Sequence, residues 1–270
     1  MLGKSIWSRL IYTAATLGAL VFGPAAFAAD PVVNTEWLAK NLDNPKVRVI
    51  EVSVEPGQFE RGHIPGAVNF VGHTDLVDTV RRDIVSKEAF EKLASHAGIG
   101  PDTTVVLYGD NNNWFAAWGA WIFDVYGVKD VRLLDGGRKK WELEKRELSN
   151  SVTDVKPTAY KVAQTNLHLR ARLTDVLKVA EGDNGTALLD IRSPDEYAGN
   201  IFAPKDSQEL AIRAGHVPGA VNVPWATAVN PEDGTFKSKE ELRKIYAAAG
   251  RSRLRHAAAT IPLLFPVHPA

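Results

Sequence analysis

Apolar positions along the chain fall into a short programme that is written twice. "TEWLAKNL" (35–42) spaces its apolar residues as one face of a helix, and "KVRVIEV" (46–52) then reads as a buried strand. "LTDVLKVA" (173–180) and "TALLDI" (186–191) repeat that helix and strand. Thr35 stands 16 residues before Glu51, and Thr174 stands 16 before Asp190. Next come "GHIPGAVNF" (62–70) and "GHVPGAVNVPW" (215–225), which share Gly-His-x-Pro-Gly in register. His63 follows Glu51 by 12 residues and His216 follows Asp190 by 26, so "AGNIFAPKDSQELAIR" (198–213) reads as a loop insertion. "SKEAFEKLASHAG" (86–98) and "SKEELRKIYAAAG" (238–250) then match without a gap. Each opens on a serine suited to capping a helix and ends on a glycine suited to closing it.

The copies part after that glycine. The first continues for 43 residues to Trp141. "TTVVLY" (103–108) predicts a buried strand, "GDNNNW" (109–114) a loop, "WFAAWGAWIFDVYG" (114–127) a helix, and "VRLLDGG" (131–137) a strand with a glycine turn. A short helix then carries Trp141. Trp114, Trp118 and Trp121, at helical spacing, read as a core stripe. The 20 residues after Gly250 repeat none of this; they hold three arginines, three prolines and no acidic residue. The pattern implies tandem α/β domains, a first over 30–149 and a second over 166–250. A polar, non-periodic linker (150–165) joins them, and an aberrant tail (251–270) follows. Strands alternating with helices call for parallel sheets covered on both faces. A single abrupt end to the repeat, followed by an Arg- and Pro-rich tail, leads us to expect a truncation or frameshift near Gly250.

Composition adds three constraints. Lys plus Arg balances Asp plus Glu at 32 each, so no basic field marks a nucleic-acid binder. Residues 1–28 join Lys4 and Arg9 to an apolar run and a small-residue "AFA", which reads as a secretory signal peptide cleaved after Ala28. The expectation is an exported protein, periplasmic or secreted, with no membrane span once the leader is removed. Finally, the 270 residues include no cysteine, hence neither a disulfide nor a thiolate.

The stretches "GHIPGAVNF", "GHVPGAVNVPW", "LLDIRSPDEY", "VVLYGDNNNWFAAW" and "LLDGGRKKW" together resemble the rhodanese family, the thiosulfate sulfurtransferases, in its two-domain form, over about residues 31–250. The resemblance implies a five-stranded parallel sheet with helices on both faces, used twice, the second copy incomplete here. It implies chemistry in the second domain only. There a cysteine opening a tight loop takes sulfur from thiosulfate and passes it to cyanide or a thiol, with no cofactor and no metal. Its partners would be a small-molecule sulfur donor and a thiophilic acceptor.

By that resemblance Asp190 and Arg192 lie beside the active loop, while Gly109, Asp110 and Trp114 mark a vestigial loop in the first domain, Gly109 standing near the cysteine position. The second-domain loop would fall near 260–266, which reads "TIPLLFP", so no nucleophile is present in either half. Several of these residues also have plainer roles. Ser193, Pro194 and Glu196 form a capping box, and Asp195 favours a helix N-terminus. Because Gly-His-x-Pro-Gly occurs in both domains, His63 and His216 read as turn-fixing residues, and the seven histidines show no metal-ligand spacing. "GHTD" (72–75) reads as a loop. "GDNNNW" could cradle an anion at a helix start, but Asp110 at its mouth favours a solvated loop. A non-catalytic module binding an anion or a protein partner is the alternative function. A cysteine-dependent phosphatase fails for want of the same thiol.

Overall fold

The computed structural model describes residues 30–81, 83–182, 186–205 and 213–248. Residues 1–28, expected to be a signal peptide, and 251–270, expected to be an aberrant tail, lie outside them. In the first domain, β1 (Val32–Val33), α1 (Thr35–Lys40), β2 (Val47–Glu51), β3 (Val68–Asn69), α2 (Gly72–Asp75), β4 (Val77–Asp78), β5 (Asp83–Ile84) and α3 (Lys87–His96) follow in order. Then come β6 (Thr104–Tyr108), α4 (Trp114–Val125), β7 (Asp130–Leu134) and α5 (Gly137–Leu143).

Five strands form one sheet in the order β1-β7-β6-β2-β3, and every pairing is parallel. Alternate side chains explain the two-sided cover. Ile50, Val105 and Leu107 point to one face and pack with Phe90, Phe115, Ile122 and Phe123 of α3 and α4. Val47, Val49, Val106 and Tyr108 point to the other and pack with Leu38 and Trp141 of α1 and α5. Residues of period two thus serve both faces, which is why β2 and β6 read as nearly unbroken apolar runs. β4 and β5 pair as an antiparallel hairpin beside this sheet.

The second domain contains α6 (Leu173–Ala180), β8 (Leu189–Asp190), α7 (Pro194–Ala198), β9 (Val221–Asn222) and α8 (Lys239–Ala248). Its strands β8 and β9 pair in parallel, as β2 and β3 do. Among the described residues its buried apolar cluster is Val176, Leu188 and Ala220. The difference shows at one repeated position. Leu38 of α1 is 0% exposed, whereas Leu177 at the same place in α6 is 45% exposed. What covers Leu38 is the part of the domain built by β6, β7 and α5.

Two readings from the sequence need correction, and a third, the linker, gains contacts that its composition did not show. "GHTD" is not a loop but the short helix α2. Asp75 Oδ2 accepts the Val71 N–H at 2.8 Å, and a Cβ on Gly72 would stand 3.3 Å from Phe115, so a glycine lets the turn lie against the core. The aromatic stripe is only partly core. Trp118 is buried, but Trp114 stacks on Trp225 of the second domain, and Trp121 Nε1 donates to Leu169 O at 3.0 Å. The linker is an extended strap laid on the first domain. Thr158 N donates to Ser95 O at 2.9 Å, Val162 N to Glu91 Oε1 at 3.1 Å, and Val162 is buried in the core. Its polar composition hid this, because many of the contacts are hydrogen bonds from backbone N–H groups and from threonine and lysine side chains.

Candidate functional site

Parallel sheets present ligands at the carboxyl ends of their strands. In the first domain that end is closed by its own side chains. Gly109 follows β6 directly, and a Cβ there would meet Val52 O at 2.3 Å. No side chain fits at 109 with this backbone. Asp110 turns back instead, and its Oδ2 accepts the N–H groups of Val54 at 3.3 Å and Glu55 at 3.2 Å. Burial raises its pKa above the usual carboxylate range, and its Oδ1 has no hydrogen-bond partner.

Asn111, Asn112 and Asn113 all adopt left-handed backbone, with φ of 46°, 51° and 65°. Asparagine tolerates that region better than most residues. The buried side chain of Asn113 then fills the loop: Oδ1 accepts the Gly109 N–H at 3.0 Å and Nδ2 donates to Leu134 O at 2.6 Å. A Cβ on Gly137 would lie 2.2 Å from that Oδ1, so the Gly136–Gly137 turn exists to admit it. The anion cradle considered for "GDNNNW" is thus occupied by a side chain.

Beneath the loop lies a buried network that sequence reasoning missed. Arg138 of α5 donates to Glu51 Oε1 and Oε2, both at 2.8 Å, and also to Gly62 O. Their side chains are 5% and 0% exposed. Ser53 Oγ and Tyr108 OH also donate to Glu51, and Tyr108 OH accepts the Ile64 N–H at 3.0 Å. Burial first, then the Glu51 charge, push the Tyr108 pKa well above its ordinary value. Burial works against the Arg138 charge, but Glu51 beside it raises the pKa on balance. The signals were an acid closing an apolar strand and an arginine straight after a glycine pair.

The second domain solves the same problem from another part of the chain. Arg192 Nε donates to Asp190 Oδ1 at 3.0 Å, and its terminal nitrogen bonds Asp190 Oδ2 and, at 2.8 Å, Gly215 O. Gly215 is the repeat equivalent of Gly62. One guanidinium thus braces the same glycine carbonyl in both domains, drawn from α5 in the first and from the strand end in the second. The Asp190 hydrogen bond raises the Arg192 pKa. Asn222 Nδ2 donates to the carbonyls of Asp190 and Arg192, both at 2.9 Å. Ser193 and Glu196 form the capping box, with the Glu196 N–H donating to Ser193 Oγ at 3.3 Å and the Ser193 N–H to Glu196 Oε2 at 3.1 Å. Both histidines lie flat on an aromatic ring, His63 on Phe59 and His216 on Tyr197, each at 3.7 Å. Each also bonds that neighbour's carbonyl through Nδ1. They fix the turn.

The rhodanese-like domain family model matches residues 34–144 and 173–260. The chain belongs to the rhodanese family. The second match runs past Gly250, where the residue-by-residue repeat stops. A Saccharopolyspora erythraea protein assigned by name to the thiosulfate sulfurtransferases is 50% identical over 220 residues, covering 81% of this chain and 77% of its own. The sulfur carrier protein TtuD of Thermus thermophilus is 50% identical over 224 residues, covering 81% and 78%. Among solved structures, SseA of Escherichia coli, a 3-mercaptopyruvate sulfotransferase, aligns with a TM-score of 0.69 at 28% identity, covering 82% of this chain and 84% of its own. The two α/β segments read from the repeat, and the rhodanese fold that the resemblance implied, are therefore in place.

Proposed function

We propose that this rhodanese descends from enzymes that move sulfane sulfur from thiosulfate to cyanide or a thiol, and that the 270-residue chain itself does not turn over. The route needs a thiolate. It attacks the outer sulfur of thiosulfate, the S–S bond breaks, sulfite leaves, and the resulting persulfide gives up its outer sulfur to the acceptor. The observation that carries the reading is the lack of any cysteine. The first-domain loop offers no substitute, since Gly109 admits no side chain and Asp110 is turned back onto Val54 and Glu55. Asp190 and Arg192 have positioning roles in this proposal, because each is engaged with the other and with the 190–222 backbone.

Purified chain given thiosulfate and cyanide should form no thiocyanate above buffer and gain no mass of about 32 Da, the mark of one covalent sulfur. Turnover with that adduct would overturn the reading. The alternative is a non-catalytic module that binds an anion or a protein partner. Reading the nucleotides after codon 250 separates the two: an alternative frame with a cysteine codon favours a sulfurtransferase gene, and none favours the module. We further propose export, with cleavage after Ala28. Mass spectrometry of the mature N-terminus checks this, and a retained Met1 on cytoplasmic protein refutes it. Among the described residues no helix is long and apolar enough to cross a membrane.

A further inference from the structure

The two domains meet through their repeated hairpins, and the meeting is reciprocal. In the first domain β4 and β5 pair Val77 with Ile84, and the Val85 N–H donates to Leu76 O at 2.9 Å. In the second, Val229 bridges Phe236 and the Lys237 N–H donates to Ala228 O at 2.9 Å. Each hairpin directly precedes the serine that opens a repeated helix, so the two correspond. Each also sends an aspartate across the boundary. Asp83 bonds Arg170, and Arg172 stands 3.6 Å from it, both arginines flanking the start of the second domain. Asp233 takes Lys140 of α5 at 2.8 Å. Lys140 first, then Thr235, lower the Asp233 pKa to about 2.

The second-domain hairpin is seated on the closed loop of the first. Its Phe236 N–H donates to Asp135 Oδ1 at 2.8 Å, and Lys139 Nζ reaches Pro231 O. Gly234 is buried, and a Cβ there would stand 3.0 Å from Asn112 Oδ1 and 3.2 Å from Gly136 O. Trp225 stacks on Trp114 with ring centroids 5.1 Å apart. The left-handed asparagine turn and the glycine pair therefore shape a seat for this hairpin as well as sealing the strand ends.

We infer that the sealed strand ends of the first domain are a docking socket for residues 225–236, and that the two hairpins form a reciprocal clasp that holds the second domain on the first. The socket takes the Trp225 ring on Trp114, the Asp233 carboxylate on Lys140 and the Phe236 N–H on Asp135. The second domain's own cluster of Val176, Leu188 and Ala220 includes no residue of this hairpin. Besides its internal hydrogen bonds, the turn at 231–236 is held by Lys139, Lys140 and Asp135 of the first domain. This inference stands apart from the proposed sulfur chemistry, and its test involves none.

The test uses the full chain with Asp233→Lys, Lys140→Glu, and both together. Amide exchange at 229–237 and the near-UV circular dichroism of the Trp114–Trp225 pair are read, with Trp225→Phe as the reference lacking that signal. Amides of β6 report whether the first domain stays folded. Each single reversal should speed exchange at 229–237 about tenfold and remove the tryptophan signal, since local opening tracks the contacts that close it. The charge swap should restore both, and β6 should not change. Single reversals that change neither readout, or a swap that restores neither, overturn the clasp. Should a reversal expose β6, Asp233→Asn deletes the charge alone. A gain of about threefold in exchange at 229–237 then supports the clasp, and no gain overturns it.

Discussion

At the residue scale, two carboxylates in this chain are held by cations in contrasting settings, Glu51 buried with Arg138 and Asp233 near the surface with Lys140. Glu51 and Arg138 are buried together, and the oxygens of Glu51 accept from Arg138, Tyr108 and Ser53 while Arg138 also donates to Gly62 O, so removing one partner would leave buried polar groups unpaired. Asp233 shows the opposite case, a carboxylate near the surface whose pKa is lowered to about 2 by Lys140 and by Thr235. A carboxylate lowered on folding contributes stability above its unfolded pKa of about 4, and that contribution fades as pH falls through the folded value. The Asp233 contribution to the domain contact should therefore be constant from neutral pH to about 4 and decline from there towards about 2. Titrating the Asp233 carboxyl carbon by NMR checks this. A midpoint at or above about 4, the unfolded value, would mean that Lys140 does not hold it.

At the element scale, the same helix meets two fates. α1 and α6 carry Leu38 and Leu177 at matching positions, one buried and one largely exposed. Leu38→Ala should cost about 2–5 kcal/mol, as removal of a fully enclosed leucine does. Leu177→Ala should cost less than about 1 kcal/mol. Urea unfolding of the two variants measures the contrast. Equal losses would mean that α6 is covered as fully as α1. The elements also show where sequence patterns mislead. α2 is too short for periodicity to register. The linker's backbone hydrogen bonds leave no trace in side-chain polarity. Trp114 and Trp121 lie on an apolar stripe yet reach across to the other domain, and a stripe does not say what stands opposite it.

At the scale of the whole molecule, the first domain is a five-stranded sheet covered on both faces, and the described part of the second is a strand pair with a small cluster. Local opening should follow that difference. Amides of β2 and β6 should exchange only through global unfolding, while those of β8 and β9 should exchange at least about tenfold faster. Hydrogen exchange on the intact chain measures this, and equal protection would show that the second sheet is as well buried as the first.

The sequence by itself determined that two copies of one α/β unit stand in tandem, because a repeat and its period survive in one dimension. It also determined that the 270 residues include no cysteine, because the absence of a residue type needs no geometry. The capping box at Ser193 and Glu196 and the turn role of His63 and His216 were legible too, since each partner lies close by or recurs. Only the tertiary structure decided that Asn113 plugs the first-domain loop, that Arg138 and Arg192 brace equivalent glycines from unrelated positions, and that Asp83 and Asp233 cross between domains. Those contacts join residues up to 93 positions apart. Side-chain direction and strand order set them, and neither has a period that a linear pattern can carry.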